Sequence, residues 1–245
     1  MSTEIFHDLE AEQGHLEEVL SGLPAADWSR ASAADGWTVA DVVLHLAQTE
    51  EAVVASASAG ADVVQWRDYA DNVDEAMAAM VRAERPAPPE IFQRWRTARR
   101  AALAALQRAD PRQPLRWVTT PLKPRTLATT RLAEHWTHAL DIAVPLGIDY
   151  PDTARLRHIA WLGHSTLPYA LGLAGQPPAE IYCELTAPDG TFWRYGPPEA
   201  DSSITGPAGA FCRVGARRLA PADSGLVTRG PYGAAALRVL RTYAL

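Results

Sequence analysis

The sequence predicts an α+β protein: a four-helix bundle over residues 1–150, followed by a small αβ domain over residues 151–245. Three observations carry this expectation. Apolar residues recur at helical spacing as far as Ile142, in segments separated by Pro- and Gly-bearing breaks. The texture then changes at Tyr150-Pro151. Beyond it, Ile181, Cys183 and Leu185 alternate with polar residues ahead of an Asp189-Gly190 turn, the pattern of a half-buried hairpin strand.

The first helix spans residues 4–21, with Ile5, Leu9, Leu16, Val19 and Leu20 on its apolar side, and stops at Gly22 before Pro24. A loop from Ala25 to Trp37 follows. Thr38-Val-Ala-Asp41 reads as a capping box, opening a second helix through Val42, Val43, Leu46 and Val53 towards Gly60. Residues 61–85 read as helical but weakly patterned, as in a lid or a side helix. After Pro86, Pro88 and Pro89, a third bundle helix places Ile91, Trp95, Ala98, Ala102, Leu103 and Leu106 on one face. The fourth starts near Thr126–Thr130, carries Leu132, Trp136, Ala139 and Ile142, and ends at Pro145 and Gly147. In the second half a helix runs from Asp152, its expected cap, to Leu173. The hairpin returns through Phe192–Tyr195, a strand covers Ser202–Thr205, and short helices cover Ala208–Ala216 and the neighbourhood of Tyr232–Tyr243.

With 245 residues, 47% of them hydrophobic and 21% charged, the chain can bury a substantial core. Net charge is −6 and Lys/Arg runs are lacking, which excludes nucleic acid as a partner class. No apolar stretch of about 18 residues exists to cross a membrane. Acidic residues follow Met1 where a signal peptide would carry a basic segment, so a cytoplasmic location is expected. Cys183 and Cys212 form no pairing or CxxC framework and read as reduced, buried thiols.

Glu134 and His138 lie four apart on the fourth helix and so share one face, a geometry suited to two ligands of one ion. Asp141, three residues on, can hold the spare N–H of a histidine. His45 lies on the second helix in a polar line with Asp41, Gln48 and Thr49. Two imidazoles and a carboxylate would leave a coordination position open, as catalytic sites do. Zn²⁺ suits this N/O set best, and Ni²⁺, Co²⁺ and Fe²⁺ share it. An E-x-x-x-H pair is equally at home on a solvated helix face, and spacing alone does not choose. His135 points about 100° away from Glu134, which disfavours shared ligation. His15, His158 and His164 read as helix-surface or interdomain residues.

Gly36-Trp-Thr-Val-Ala-Asp-Val-Val-Leu-His45-Leu resembles the signature opening the mycothiol-dependent maleylpyruvate isomerase family, within the DinB-like bundle superfamily. Glu134-His-Trp-Thr-His138-Ala-Leu-Asp141, followed by Leu146-Gly147, resembles that family's second signature. Arg155–Gly163, Glu184–Gly190, Thr205–Ala208, Phe211-Cys212 and Ala216–Arg218 resemble an actinobacterial branch, in the same order. Ala143-Val-Pro145 departs from the pattern, since most members continue this helix smoothly.

The resemblance implies a DinB-like bundle with a sterol-carrier-like αβ domain behind it. It places His45, Glu134 and His138 at the family's metal-ligand positions and maps a substrate-side arginine to Arg217 or Arg218. It also implies mycothiol as thiol cosubstrate, in isomerisation of, or transfer to, a small electrophilic and anionic substrate. A neutral glycosylated thiol would be gripped by hydrogen bonding and stacking, for which Trp37, Asp41, Gln48 and Trp136 are candidates. Each of these, and the arginine pair at a helix end, also has a purely structural reading. Two other functions compete: thiol-independent metal catalysis (a hydrolase, lyase or Lewis-acid isomerase or cyclase), and non-catalytic carriage of a small molecule. The substrate and the oligomeric state are left open.

Overall fold

The computed structural model describes residues 4–58, 66–84, 86–118 and 120–243. They fall into two units, the first ending at Tyr150 and the second beginning at Pro151.

In the first unit, α1 (Glu4–Ser21), α2 (Val39–Ala57), α4 (Pro88–Arg108) and α5 (Pro124–Leu146) form the bundle, with α3 (Val73–Ala83) as a side helix. α2 packs chiefly on α4 and α1 on α5. Leu9, Leu16, Val42, Leu46, Trp95, Leu106, Leu132 and Trp136 fill the core. The capping box at α2 forms: Thr38 Oγ1 accepts from Asp41 N, and the Asp41 carboxylate accepts from Thr38 N at 2.9 Å. The helix ends at Ala57, and the expected continuation to Gly60, like residues 61–65 of the side helix, lies outside the described residues. α5 begins earlier than its Thr-rich segment suggested, because Pro124 suits the first helical position, where no N–H is needed.

Pro145 does not stop α5. It sits in the last turn, and Gly147 closes the helix in the left-handed region at φ 70°. Proline has no N–H to give the carbonyl four residues back, that of Asp141. The Ala33 N–H takes that place, bonding Asp141 O at 2.8 Å, and Arg30 Nη2 donates to Pro145 O at 3.2 Å. The loop before α2 is thereby tied to α5. Within it, Ser32 N bonds Trp37 O, and Trp37 N bonds Ala34 O across a turn in which Gly36 has φ 76°.

The second unit holds α6 (Leu156–Leu173), β1 (Ile181–Thr186), β2 (Phe192–Tyr195), β3 (Ser202–Pro207), α7 (Ala208–Gly215), β4 (Val227–Arg229) and α8 (Gly230–Val239). The sheet order is β2-β1-β3-β4, with β1 and β3 parallel and both edges antiparallel. Ile181, Cys183 and Leu185 are buried, as their alternation requires. Two expectations are corrected here. Asp152 does not cap α6, which starts at Leu156 after Arg155; its carboxylate instead takes both arms of Arg213, at 2.8 and 2.9 Å. The final helix runs over Gly230–Val239, earlier than expected, with β4 immediately before it.

Candidate metal centre

α2 and α5 each bring part of the centre. His45 projects from the buried side of α2 and is 6% exposed. Glu134 and His138 rise from α5 one turn apart, with the Glu134 side chain 32% exposed. Glu134 Oε2 stands 3.7 Å from His45 Nε2 and 3.5 Å from His138 Nε2. Each of the three offers an atom such that all lie within 4.8 Å of one another. Among the described residues this is the one cluster of three or more His, Cys, Asp or Glu groups close enough to hold an ion. Metal–ligand bonds of about 2.0–2.2 Å in a tetrahedral site set ligand atoms about 3.4 Å apart, so the spacing suits a small divalent cation.

The surrounding bonds fit the same use. Asp141, fully buried, accepts from His138 Nδ1 at 2.9 Å, which fixes the ring and turns Nε2 towards Glu134. The buried Nδ1 of His45 has no hydrogen-bond partner among the described residues, and Nε2 is the ring atom that faces Glu134. His135 provides the contrast: its Nδ1 bonds Arg131 O at 2.8 Å and its Nε2 accepts from Trp95 Nε1 at 3.2 Å. It is a satisfied core histidine whose pKa burial lowers to about 3.

Burial pushes His45 down to about 4, overcoming the pull of Glu134, so its ring is neutral at pH 7. For His138 burial also acts downward, but Asp141 and Glu134 together outweigh it and raise the group to about 9. Burial would raise Glu134, yet His138 and His45 hold it well below the usual carboxylate range. Without an ion, the centre is a carboxylate and an imidazolium beside a neutral imidazole.

Of the four candidates for gripping a cosubstrate, Trp37 stands against the triad. Its ring lies 5.1 Å from that of His45 and 6.2 Å from that of His138, nearly parallel to the latter at 24°. Asp41 is engaged in the capping box. Gln48 donates to Met80 O and to Glu84 Oε1, linking α2 to the side helix and the residue after it. Trp136 projects about 200° around α5 from Glu134 and is buried in the core. Arg217 and Arg218 lie just past α7 in the second unit. Arg217 has φ 61° and donates to Arg238 O, and Arg218 Nη1 donates to Ala216 O.

Sequence reasoning overlooked a buried ion pair one turn from the triad, Arg131 with Glu50. The available signal was a charge at each position on the inward side of an otherwise packed helix.

Fold and site together define a class: a helical bundle with a two-histidine, one-carboxylate centre shared by two of its helices, followed by a small mixed αβ unit. The chain belongs to the mycothiol maleylpyruvate isomerase family, the model of whose N-terminal domain matches residues 9–143. An uncharacterized protein of Mycobacterium tuberculosis, matched in two strains, is 34% identical over 220 residues, covering 87% of this chain and 84% of its own length. The crystal structure of the mycothiol-dependent maleylpyruvate isomerase shares the fold. It matches with a TM-score of 0.63 at 17% identity, covering 94% of this chain and 99% of that one. A histidine-to-alanine mutant of that enzyme gives the same TM-score at 14% identity over the same shares.

Proposed function

We propose that this protein is a divalent-metal enzyme, most suited to zinc, that uses mycothiol to isomerise, or add to, a small electrophilic and anionic substrate in the cytoplasm. The observation that carries the reading is the convergence of His45, Glu134 and His138 in a bundle of this family. Residues 1–150 would be the metal-binding domain and residues 151–245 a separately folding αβ domain.

His45, Glu134 and His138 would hold the ion, which when bound supplies a Lewis acid able to keep a thiol as thiolate at neutral pH. Asp141 holds the Nδ1–H of His138 and so presents Nε2 to the centre. Trp37 gives an aromatic wall beside both imidazoles, suited to stacking and to excluding water. The protein's own sulfurs are poor nucleophiles: Cys183 and Cys212 are buried, and burial pushes both thiols up, Cys183 to about 12. This favours an external thiol. The guanidinium of Arg217 or Arg218 would suit a substrate carboxylate, which it can clamp with two parallel bonds.

Thermal-shift titration of the metal-loaded protein tests the thiol. At 100 times its Kd a ligand stabilises by about 2.7 kcal/mol, so mycothiol is expected to raise Tm by about 5–10 °C for a chain of this size, and glutathione by much less. No shift with either would sink thiol dependence and favour direct metal catalysis.

Metal uptake should also depend on pH. His138, raised to about 9, carries a proton at neutral pH that must leave before Nε2 can bind an ion, while His45, near 4, has none to lose. Affinity should therefore rise with pH through the neutral range. Chelator competition at about pH 6.5 and about pH 8 should find the ion held more tightly at the higher pH. Equal affinity at the two would contradict the assignment.

A further inference from the structure

We propose that the buried Arg131–Glu50 pair is a positioning device that sets the register of α2 on α5 and so brings His45 onto Glu134 and His138. The proposal rests on the metal reading above. Arg131 and Glu50, at 2% and 0% side-chain exposure, are joined by a 2.8 Å bond from Arg131 Nε to Glu50 Oε1. The second arm of the guanidinium, Nη2, donates to Thr49 Oγ1 at 2.7 Å. Thr49 Oγ1 in turn donates to the main-chain carbonyl of His45 at 2.9 Å. A two-bond relay therefore runs from α5 through the Thr49 hydroxyl to the backbone of a proposed ligand, beside the bond to Glu50.

Helix phasing makes this relay a second rung parallel to the first. Thr49 is four residues beyond His45, and Arg131 three residues before Glu134, so the two rungs join the same helices about one 5.4 Å turn apart. The lower rung is itself anchored to α4, because His135 bonds Arg131 O and accepts from the Trp95 indole. A one-residue slip of α2 would break both bonds from the guanidinium and turn His45 off the triad.

Stability is a poor reason for such a pair. Taking two charges out of water offsets most of their attraction, and apolar residues of similar volume often do as well or better. Glu50 also leaves Oε2 without a hydrogen-bond partner among the described residues, a further cost. What the pair supplies that packing does not is direction: a planar fork that fits Glu50 and Thr49 at one register.

The test uses the full chain as wild type, Arg131→Met, Arg131→Lys and the apolar double variant Glu50→Leu/Arg131→Met. Three quantities are read: apo Tm, zinc affinity by chelator competition, and the visible absorption of the Co²⁺-loaded protein, which reports ligand geometry. Arg131→Met is expected to weaken zinc binding about 10–100-fold, the range for residues that orient ligands, and to shift the Co²⁺ bands. Arg131→Lys, which keeps the charge but loses the fork, should recover part of the affinity. The double variant should regain apo Tm while keeping the weakened affinity and altered spectrum, and it carries the test if Arg131→Met does not fold. Wild-type affinity and spectrum in the double variant, or in Arg131→Met, would reduce the pair to a structural salt bridge. Wild type that takes up neither zinc nor Co²⁺ would instead overturn the metal reading itself, and this proposal with it.

Discussion

Alanine at His45 or His138 is expected to remove close to one divalent ion per chain, measured by elemental analysis after dialysis against a weak chelator. A four-ligand zinc site is worth about 10–16 kcal/mol, so each protein ligand carries roughly 3–4 kcal/mol, or about 10²–10³ in affinity. With two imidazoles and one carboxylate available, loss of either histidine leaves too few donors to retain the ion. His7→Ala provides the control, since the His7 side chain on α1 is exposed to solvent. That substitution should leave both stability and stoichiometry intact. A double His45→Ala/His138→Ala variant that still holds one ion per chain would refute the site.

Gly230→Ala should be among the most damaging substitutions in the second unit. Gly230 joins β4 to α8 with φ 78°, where a side chain is strained by about 1–3 kcal/mol. A Cβ there would also lie 1.8 Å from the Asp201 carbonyl oxygen and 2.8 Å from Ser202 Cα, both backbone atoms with no rotamer to escape into. Relief requires moving the start of β3 away from α8, so the total cost is expected to reach about 4 kcal/mol or more. Urea unfolding followed by far-UV circular dichroism should show an early transition in the variant, while metal uptake by residues 1–150 stays at the wild-type level. Simultaneous loss of both would show that the halves do not fold as separate domains.

What the sequence disclosed was whatever depends on near neighbours. The Thr38–Asp41 capping box, the α4 face and the Asp189-Gly190 turn each involve residues a few positions apart, so spacing and propensity suffice. Phasing also separated His138 from His135, and the ordered signatures pointed to His45; the structure brings His45, Glu134 and His138 together. Features decided by distant partners were hidden. Asp152 looked like a cap because its true partner, Arg213, lies 61 residues on. β4 is three residues long and exists by pairing with β3, with too little alternation to announce itself. Arg131 and Glu50 are 81 residues apart, and although each is a charge on the inward side of its helix, only the fold pairs them. Gln48 shares a polar line with His45, yet its bonds go to Met80 and Glu84.

The proline in the last turn of α5 has a consequence for how the centre can change. By withholding one N–H, Pro145 leaves the Asp141 carbonyl to the Ala33 amide, while the Asp141 side chain holds His138. One residue thus anchors the loop that carries Trp37 and orients an imidazole against which Trp37 lies. The Trp37 ring and His138 Nε2 are geared to a common axle: a rotation of that helical turn moves both, in step. Variation that reshapes the surface beside the histidines without disturbing His138 is then expected in the size and chemistry of the side chain at position 37.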